Sequence, residues 1–223
     1  DIGSLEPNGA EFVHLLAECL KLTMVDRDAY YGDPDFTDVP LAALLSKDYN
    51  DARRKLVGKT ASLELRPGSI GGKPGRLPQA LFRTPDPTRV RAAAEGEPNR
   101  VHMGAEGGDT VNVNVIDRHG NFVSAMPSGG WLQSSPVIPE LGFCLGTRAQ
   151  MFWLEEGLPS SLAPGKRPRT TLTPGLAFRD GKPFMAFGSP GGDGQDQWAL
   201  QFFLHHVHHG MNLQQAIEAP AFV

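Results

Sequence analysis

The sequence predicts an α+β fold, and three observations carry that prediction. Up to Val57 the apolar side chains recur at helical spacing. From Thr110 onward, short stretches of alternating apolar and polar side chains are closed by turns bearing Gly, Asn or Asp. Between them lies a Gly-, Pro- and Arg-rich segment over about 65–109, which divides the chain into regions 1–109 and 110–223. With 223 residues, 40% of them hydrophobic, the chain can bury a substantial core as one domain or two small ones.

Asn8 as N-cap and Glu11 at the capping-box position open a helix over about 9–28. Its apolar face carries Phe12, Leu15, Leu16, Cys19, Leu20 and Met24. The turn chemistry of Gly32-Asp33-Pro34-Asp35-Phe36 ends that segment, and two short helices follow over 40–45 and 47–57, with Ser46 capping the second and Gly58 closing it. The stretch 65–108 has few periodic apolar residues and reads as a long exposed or partly disordered loop, either functional or a tether.

A strand that buries its apolar face is expected over 110–117, a turn over 118–121 and a returning strand over 122–125. A further strand is expected over 142–145. After a Pro-rich, basic connection over 159–169, strands over 175–178 and 183–187 form a second hairpin around an Asp-Gly turn. A helix over about 195–209, ended by Gly210, and a short one over 213–218 complete the chain.

The balance of 25 acidic and 21 basic residues, net −4, supplies no positive field for nucleic acid or an anionic membrane surface. No run of about 18 apolar residues exists to span a bilayer. Cys19 and Cys144 stand far apart with no metal-ligand spacing and are expected to be two buried free thiols, although a single disulfide is compatible with the sequence. The first residue is Asp1, as expected of a chain entered mid-protein, so periplasmic, extracellular and cytoplasmic locations all stay open.

The chemistry centres on Thr110, which follows Gly107-Gly108-Asp109. If the Asp109–Thr110 bond is cut, the threonine gains an α-amine with a reference pKa of about 8, and one residue then supplies both nucleophile and base. The same hydroxyl can make the cut by attacking the Asp109 carbonyl. A threonine in a strand after an ordinary diglycine loop is the plainer reading of Thr110 alone. Gly188-Ser189-Pro190-Gly191-Gly192 is a glycine-rich strand-to-helix turn whose N–H groups suit an oxyanion, or an anion such as phosphate. It lacks both the Walker and the dinucleotide spacings. The hydroxyl run Thr170-Thr171-Leu172-Thr173 can orient a substrate or form side-chain turns. His205 and His209 have i, i+4 spacing, but no Glu completes a zinc motif, and a solvated helix end is the favoured reading, with no metal ligands.

Taken together, these segments resemble the γ-glutamyltranspeptidase family of N-terminal-nucleophile hydrolases. The resemblance rests on Phe12-Val13-His14-Leu15-Leu16-Ala17-Glu18, Gly32-Asp33-Pro34-Asp35-Phe36, Val39-Pro40, Leu45-Ser46, Tyr49, Gly108-Asp109-Thr110, Val115-Ile116-Asp117, Gly120-Asn121, Gly165-Lys166-Arg167-Pro168, Gly188 to Gly192, and Glu218-Ala219-Pro220-Ala221-Phe222. It implies an αββα sandwich formed here by a partial chain, whose region 1–109 corresponds to the end of a large subunit and 110–223 to a small subunit. It further implies cleavage between Asp109 and Thr110, Thr110 as nucleophile, Gly191 and Gly192 as the oxyanion hole, and Ser128 as a hydroxyl assisting the nucleophile. Thr170 and Thr171 fall where a Ser-Ser pair contacts the substrate carboxylate. No cofactor is implied, and the partner is the remainder of the chain's own precursor.

The departures bear on substrate. Where the family holds a γ-glutamyl α-ammonium with Asn, Gln and Asp, this chain has Gly130, Arg148 and Met151. A charge-assisted bond to a buried ammonium is lost, and an arginine stands in its neighbourhood. The leading expectation is a self-processing threonine amidohydrolase or acyltransferase acting on a small-molecule or peptide amide, γ-glutamyl or related. The alternatives are an acylase for a non-glutamyl amide, an unprocessed small-ligand-binding homologue, and a phosphate-binding module built on Gly188 to Gly192.

Overall fold

A computed structural model of the chain describes residues 1–82, 110–129 and 135–223. Helices and antiparallel strand pairs sort into two compact units, one of Asp1–Pro85 with Met151–Arg169 and one of Asp86–Gln150 with Thr170–Val223. The chain is thus mixed α and β, as its patterning indicates, and residues 151–169 return to the first unit although they follow Thr110.

The first unit is built on α1 (Ala10–Tyr30), which buries Phe12, Leu16, Leu22, Val25 and Ala29. Its cap differs from the expected one. Asn8 sits at φ 59, Gly9 takes the N-cap position, and no side chain closes a capping box. After α2 (Leu41–Leu44), α3 (Lys47–Arg54) begins as expected on Ser46, whose side chain accepts from the Tyr49 N–H; it ends at Arg54, short of Val57.

Two acids on the buried face of α1 order the chain that follows. Glu18 accepts from the Ser62 N–H at 3.2 Å and from Arg66 at 2.9 Å, and it also pairs with Lys21. Asp26 accepts from the Gly68 N–H at 2.7 Å, the Tyr49 hydroxyl at 2.8 Å and Arg53 at 3.1 Å. Over 65–82 the expected long loop is therefore anchored rather than loose. It forms a small hairpin of β1 (Ser69–Ile70) and β2 (Lys73–Pro74), followed by buried Leu77 and a 3-10 turn over Gln79–Phe82. Residues 83–109 lie outside the described residues.

Glu18 gives the first unit a testable acid sensitivity. Hydrogen bonds from Lys21, Ser62 and Arg66 outweigh burial and hold its carboxyl at about 2, against an ordinary 4.5. The depressed group contributes its stability fully above pH 4.5 and loses it as pH falls toward 2. Thermal melts should show the wild type losing stability across that window more steeply than Glu18→Gln. Parallel acid limbs would contradict this.

Residues 151–169 are tied in by a second buried carboxylate. Asp33 accepts from the Arg167 N–H at 2.8 Å, Nε at 3.0 Å and Nη2 at 2.5 Å, and its carboxyl is held well below its usual range, chiefly by the Arg167 side chain. Ser160 donates to the Tyr31 carbonyl at 2.9 Å. At Gly32 a Cβ would come within 2.3 Å of the Pro159 carbonyl oxygen, so only glycine lets the two segments close. The runs Gly32 to Phe36 and Gly165 to Pro168, far apart in sequence, thus form one structural clasp.

In the second unit β3 (Val113–Ile116) pairs antiparallel with β4 (Phe122–Ala125), in the register Val113↔Ala125. β5 (Val137–Ile138) pairs with β6 (Phe143–Cys144), and β7 (Gly175–Arg179) with β8 (Lys182–Phe187). The last hairpin turns on Asp180 at φ 52 and Gly181 at φ 73, the paired left-handed residues that a two-residue type I′ turn demands. β7 and β8 lie against β4 through Phe122 and Phe178, whose rings meet edge-on at 5.1 Å, and through Ser124, which donates to the Phe187 carbonyl at 3.2 Å. Helix α4 (Gln195–Val207) sets Phe203 in a stacked contact on Phe187. Helix α5 (Leu213–Glu218) carries a full capping box between Asn212 and Gln215.

Three expectations are corrected here. The strand expected from residue 110 starts at Val113, and its apolar face is open rather than buried: Val113 is 47% and Val115 57% exposed. Among the described residues only β4 pairs with it, and no layer covers its valines. Cys19 and Cys144 are free, as expected, but half-buried. His205, read as part of a solvated helix end, is 1% exposed, with its Nδ1 3.2 Å from Nδ1 of His209. Burial and the neighbouring His209 push its pKa down, which favours a neutral imidazole.

Candidate active site

Thr110 is placed by continuation of the β3–β4 ladder. Val111 donates to the Pro127 carbonyl at 3.2 Å, and extending the register Val113↔Ala125 sets Thr110 opposite Ser128. The two hydroxyls meet at 2.8 Å. Arg148, which opens the 3-10 turn Arg148–Met151, donates from Nη2 to Ser128 Oγ, also at 2.8 Å. Three of the residues singled out in the sequence, Thr110, Ser128 and Arg148, therefore form one hydrogen-bonded chain whose links span 18 and 20 residues.

The glycine-rich turn follows β8 directly. Gly188 packs against the residues flanking the β3–β4 pair on the Thr110 side, since a Cβ there would lie 2.4 Å from Met126 Cε and 2.6 Å from Asn112 Nδ2. Gly191 adopts φ 127, ψ 47, and Gly192–Gly194 forms a 3-10 turn that runs into α4. Among the described residues no acceptor meets the Gly191 or Gly192 N–H, as befits the first donors of a helical segment. Such donors are what a developing oxyanion requires.

The threonine pair divides its roles. Thr170 is exposed, and its hydroxyl accepts from the Leu172 N–H at 3.2 Å, which is the side-chain turn weighed from sequence. Thr171 is 4% exposed and packs beside Gln195, a fully buried amide at the start of α4. With the amide oriented so that its oxygen does not face only acceptors, Gln195 donates to the Thr171 carbonyl at 3.3 Å and the Ser189 carbonyl at 3.1 Å. Gln195 thereby ties the threonine run to the glycine turn, a role that sequence reasoning missed. Its only signal was an amide side chain immediately after a glycine-rich turn.

Asp109 and Gly130 lie outside the described residues. Met151 is buried, at 5% exposure. Among the described residues no cluster of three or more His, Cys, Asp or Glu is arranged to hold a metal, and no helix is long and apolar enough to cross a membrane.

Thr110 thus stands just ahead of β3, hydrogen-bonded to a second hydroxyl, in a unit that also carries the glycine turn. The whole chain, residues 1–223, matches the gamma-glutamyltranspeptidase family model. It is 33% identical over 221 residues to the acylase ACY 1 proenzyme of Pseudomonas sp. strain SE83, covering 99% of this chain and 34% of that one. It is 31% identical over 211 residues to the glutathione hydrolase proenzyme of Bacillus subtilis strain 168, covering 94% and 33% respectively. Among solved structures, that of LmbA2991HD superposes with a TM-score of 0.76 at 55% identity, over 97% of this chain and 36% of that one. The chain belongs to the gamma-glutamyltranspeptidase family, and it spans about a third of the length of the curated relatives it matches.

Proposed function

We propose that this chain carries the nucleophile-bearing part of a self-processing threonine amidohydrolase or acyltransferase, with the αββα sandwich of its class. The observation that carries the reading is the 2.8 Å contact between Thr110 Oγ1 and Ser128 Oγ, at the entry to β3. The proenzyme relatives support processing. In this reading the Thr110 hydroxyl first attacks the Asp109 carbonyl. The C–N bond breaks as the nitrogen takes a proton, and water hydrolyses the resulting ester, leaving a carboxylate on Asp109 and a free amine on Thr110.

In turnover that amine accepts the hydroxyl proton while Oγ1 attacks a substrate amide. The Gly191 and Gly192 N–H groups hold the oxyanion, the amine passes its proton to the leaving nitrogen, and water or an acceptor amine releases the acyl group. No organic cofactor or metal is called for in this scheme. The partner is the remainder of the precursor, and the substrate is a small amide or peptide. Met151 stands where the family pattern has its carboxylate and Arg148 where it has a Gln, and the guanidinium bonded to Ser128 favours an acyl group bearing an anionic or carbonyl oxygen over one bearing an ammonium. The acylase relative is in keeping with an amide other than glutathione.

The test is to incubate the processed full-length protein with a panel of γ-glutamyl and other acyl amides and to map covalent adducts by mass spectrometry. Acyl mass on the Thr110 residue, with a preference for donors lacking an α-ammonium, is expected. Saturable binding without any adduct or product would instead establish a binding homologue.

A further inference from the structure

We infer that Arg148 is a positioning residue for the nucleophile: by donating to Ser128 Oγ it turns the Ser128 hydroxyl toward Thr110, in self-cleavage as well as in turnover. The inference rests on the reading of Thr110 as nucleophile, but it assigns Arg148 work that needs no substrate.

The direction of the hydrogen bonds carries the argument. A guanidinium has only donors, so the 2.8 Å contact from Arg148 Nη2 must use a lone pair of Ser128 Oγ. A hydroxyl that accepts from a cationic donor becomes a stronger donor itself. Of the two directions open to the 2.8 Å contact between the hydroxyls, this charge-assisted bond favours donation from Ser128 to Thr110 Oγ1. Thr110 consequently receives a hydrogen bond on its oxygen, and its own proton stays free to leave toward a base. The opposite direction, Thr110 donating to Ser128, would hold the departing proton against an oxygen that already carries a charge-assisted bond.

The local backbone is shaped for this contact. Gly129, directly after Ser128, has φ 81, a left-handed conformation that glycine adopts without penalty. A Cβ at that position would come within 3.3 Å of Thr147 Oγ1 and 3.5 Å of Arg148 Nε. The arginine side chain thus runs past a residue that presents no side chain to it. A Gln at position 148, as in the family pattern, has a single amide to offer where Arg148 has a fork of donors.

Self-cleavage separates this role from substrate binding, because the precursor cuts its own Asp109–Thr110 bond with no acyl donor present. Full-length precursor is expressed as wild type, Ser128→Ala, Arg148→Met, Arg148→Lys and the Ser128→Ala/Arg148→Met double variant. Processing half-lives are read by mass spectrometry, and melting temperatures confirm folding. Loss of a charge-assisted hydrogen bond at the reacting group is expected to lengthen the half-life about tenfold or more in Ser128→Ala and Arg148→Met. Arg148→Lys, which keeps a cationic donor and carries the test if Arg148→Met does not fold, should fall between them and wild type. The double variant should be no slower than Ser128→Ala, because the arginine acts through the serine. Wild-type processing rates in both Arg148 variants, with only KM for an acyl donor raised, would overturn the proposal, and so would effects that multiply in the double variant. An uncut wild-type precursor would overturn the underlying reading of Thr110 as well.

Discussion

Thr110→Ala is expected to leave the precursor uncut and to lower turnover by about 10⁴-fold or more, because in the proposed mechanism it deletes the attacking oxygen of both reactions. The fold should survive. The change removes one neutral hydrogen bond, to Ser128, worth about 0.5–1.5 kcal/mol, from a half-buried position ahead of β3. Thr110→Ser keeps the oxygen and should retain processing at a reduced rate. Electrophoresis of purified precursor, steady-state assays and a melting curve together check the prediction. Cleavage at residue 110 in the alanine variant, or turnover within tenfold of wild type, would remove the nucleophile from the account.

Gly191→Ala is expected to be nearly as damaging, for a different reason. At φ 127 an L side chain is strained, at a cost of about 1–3 kcal/mol. An added Cβ would also sit 2.2 Å from Trp198 Cζ3 and 3.0 Å from Cη2, on a ring fixed in α4, so the turn itself must move. Displacing one oxyanion donor typically costs about 10²–10³ in kcat. The expected signature is a kcat lowered by at least that factor with KM little changed, beside a lower melting temperature. Trimming the ring in a Gly191→Ala/Trp198→Ala double variant relieves the contact but not the backbone strain, so kcat should stay low. Full recovery of kcat in the double variant would show that the turn matters only for packing.

Elements whose chemistry is local could be read from sequence. Ser46 caps α3, Asp180-Gly181 makes the β7–β8 turn with both residues left-handed, and Leu213–Glu218 is a helix with the expected bounds. Where long-range contacts decide, the reading fell short. Asn8 has the composition of a cap, yet its φ of 59 passes that place to Gly9. Glu18 and Asp26 break the apolar face of α1, and nothing nearby in sequence shows that they reach Ser62, Arg66 and Gly68 to order a Gly- and Pro-rich stretch. β6 was expected over 142–145, but its partner β5 went unseen, because two residues between Pro136 and Pro139 carry no alternation to detect.

The candidate site shows the same division. Thr110 and the glycine turn announce themselves by local composition, but their neighbours do not. The expected turn over 118–121 would have set Gly129 opposite Thr110. Instead Asp117 donates to the Asn121 carbonyl at 2.9 Å and Gly120 bends at φ 84, which shortens the loop and brings Ser128 into place. Arg148 and Gln195 then join residues that only the tertiary fold brings together: one reaches back to Ser128, and the other bridges Thr171 and Ser189.

Intact-mass measurement and N-terminal sequencing of the purified, catalytically competent full-length protein test the central claim most directly. The account expects two fragments, the second opening on Thr110 with a free α-amine and carrying the acyl group during turnover. An active enzyme recovered as one unbroken polypeptide would contradict it.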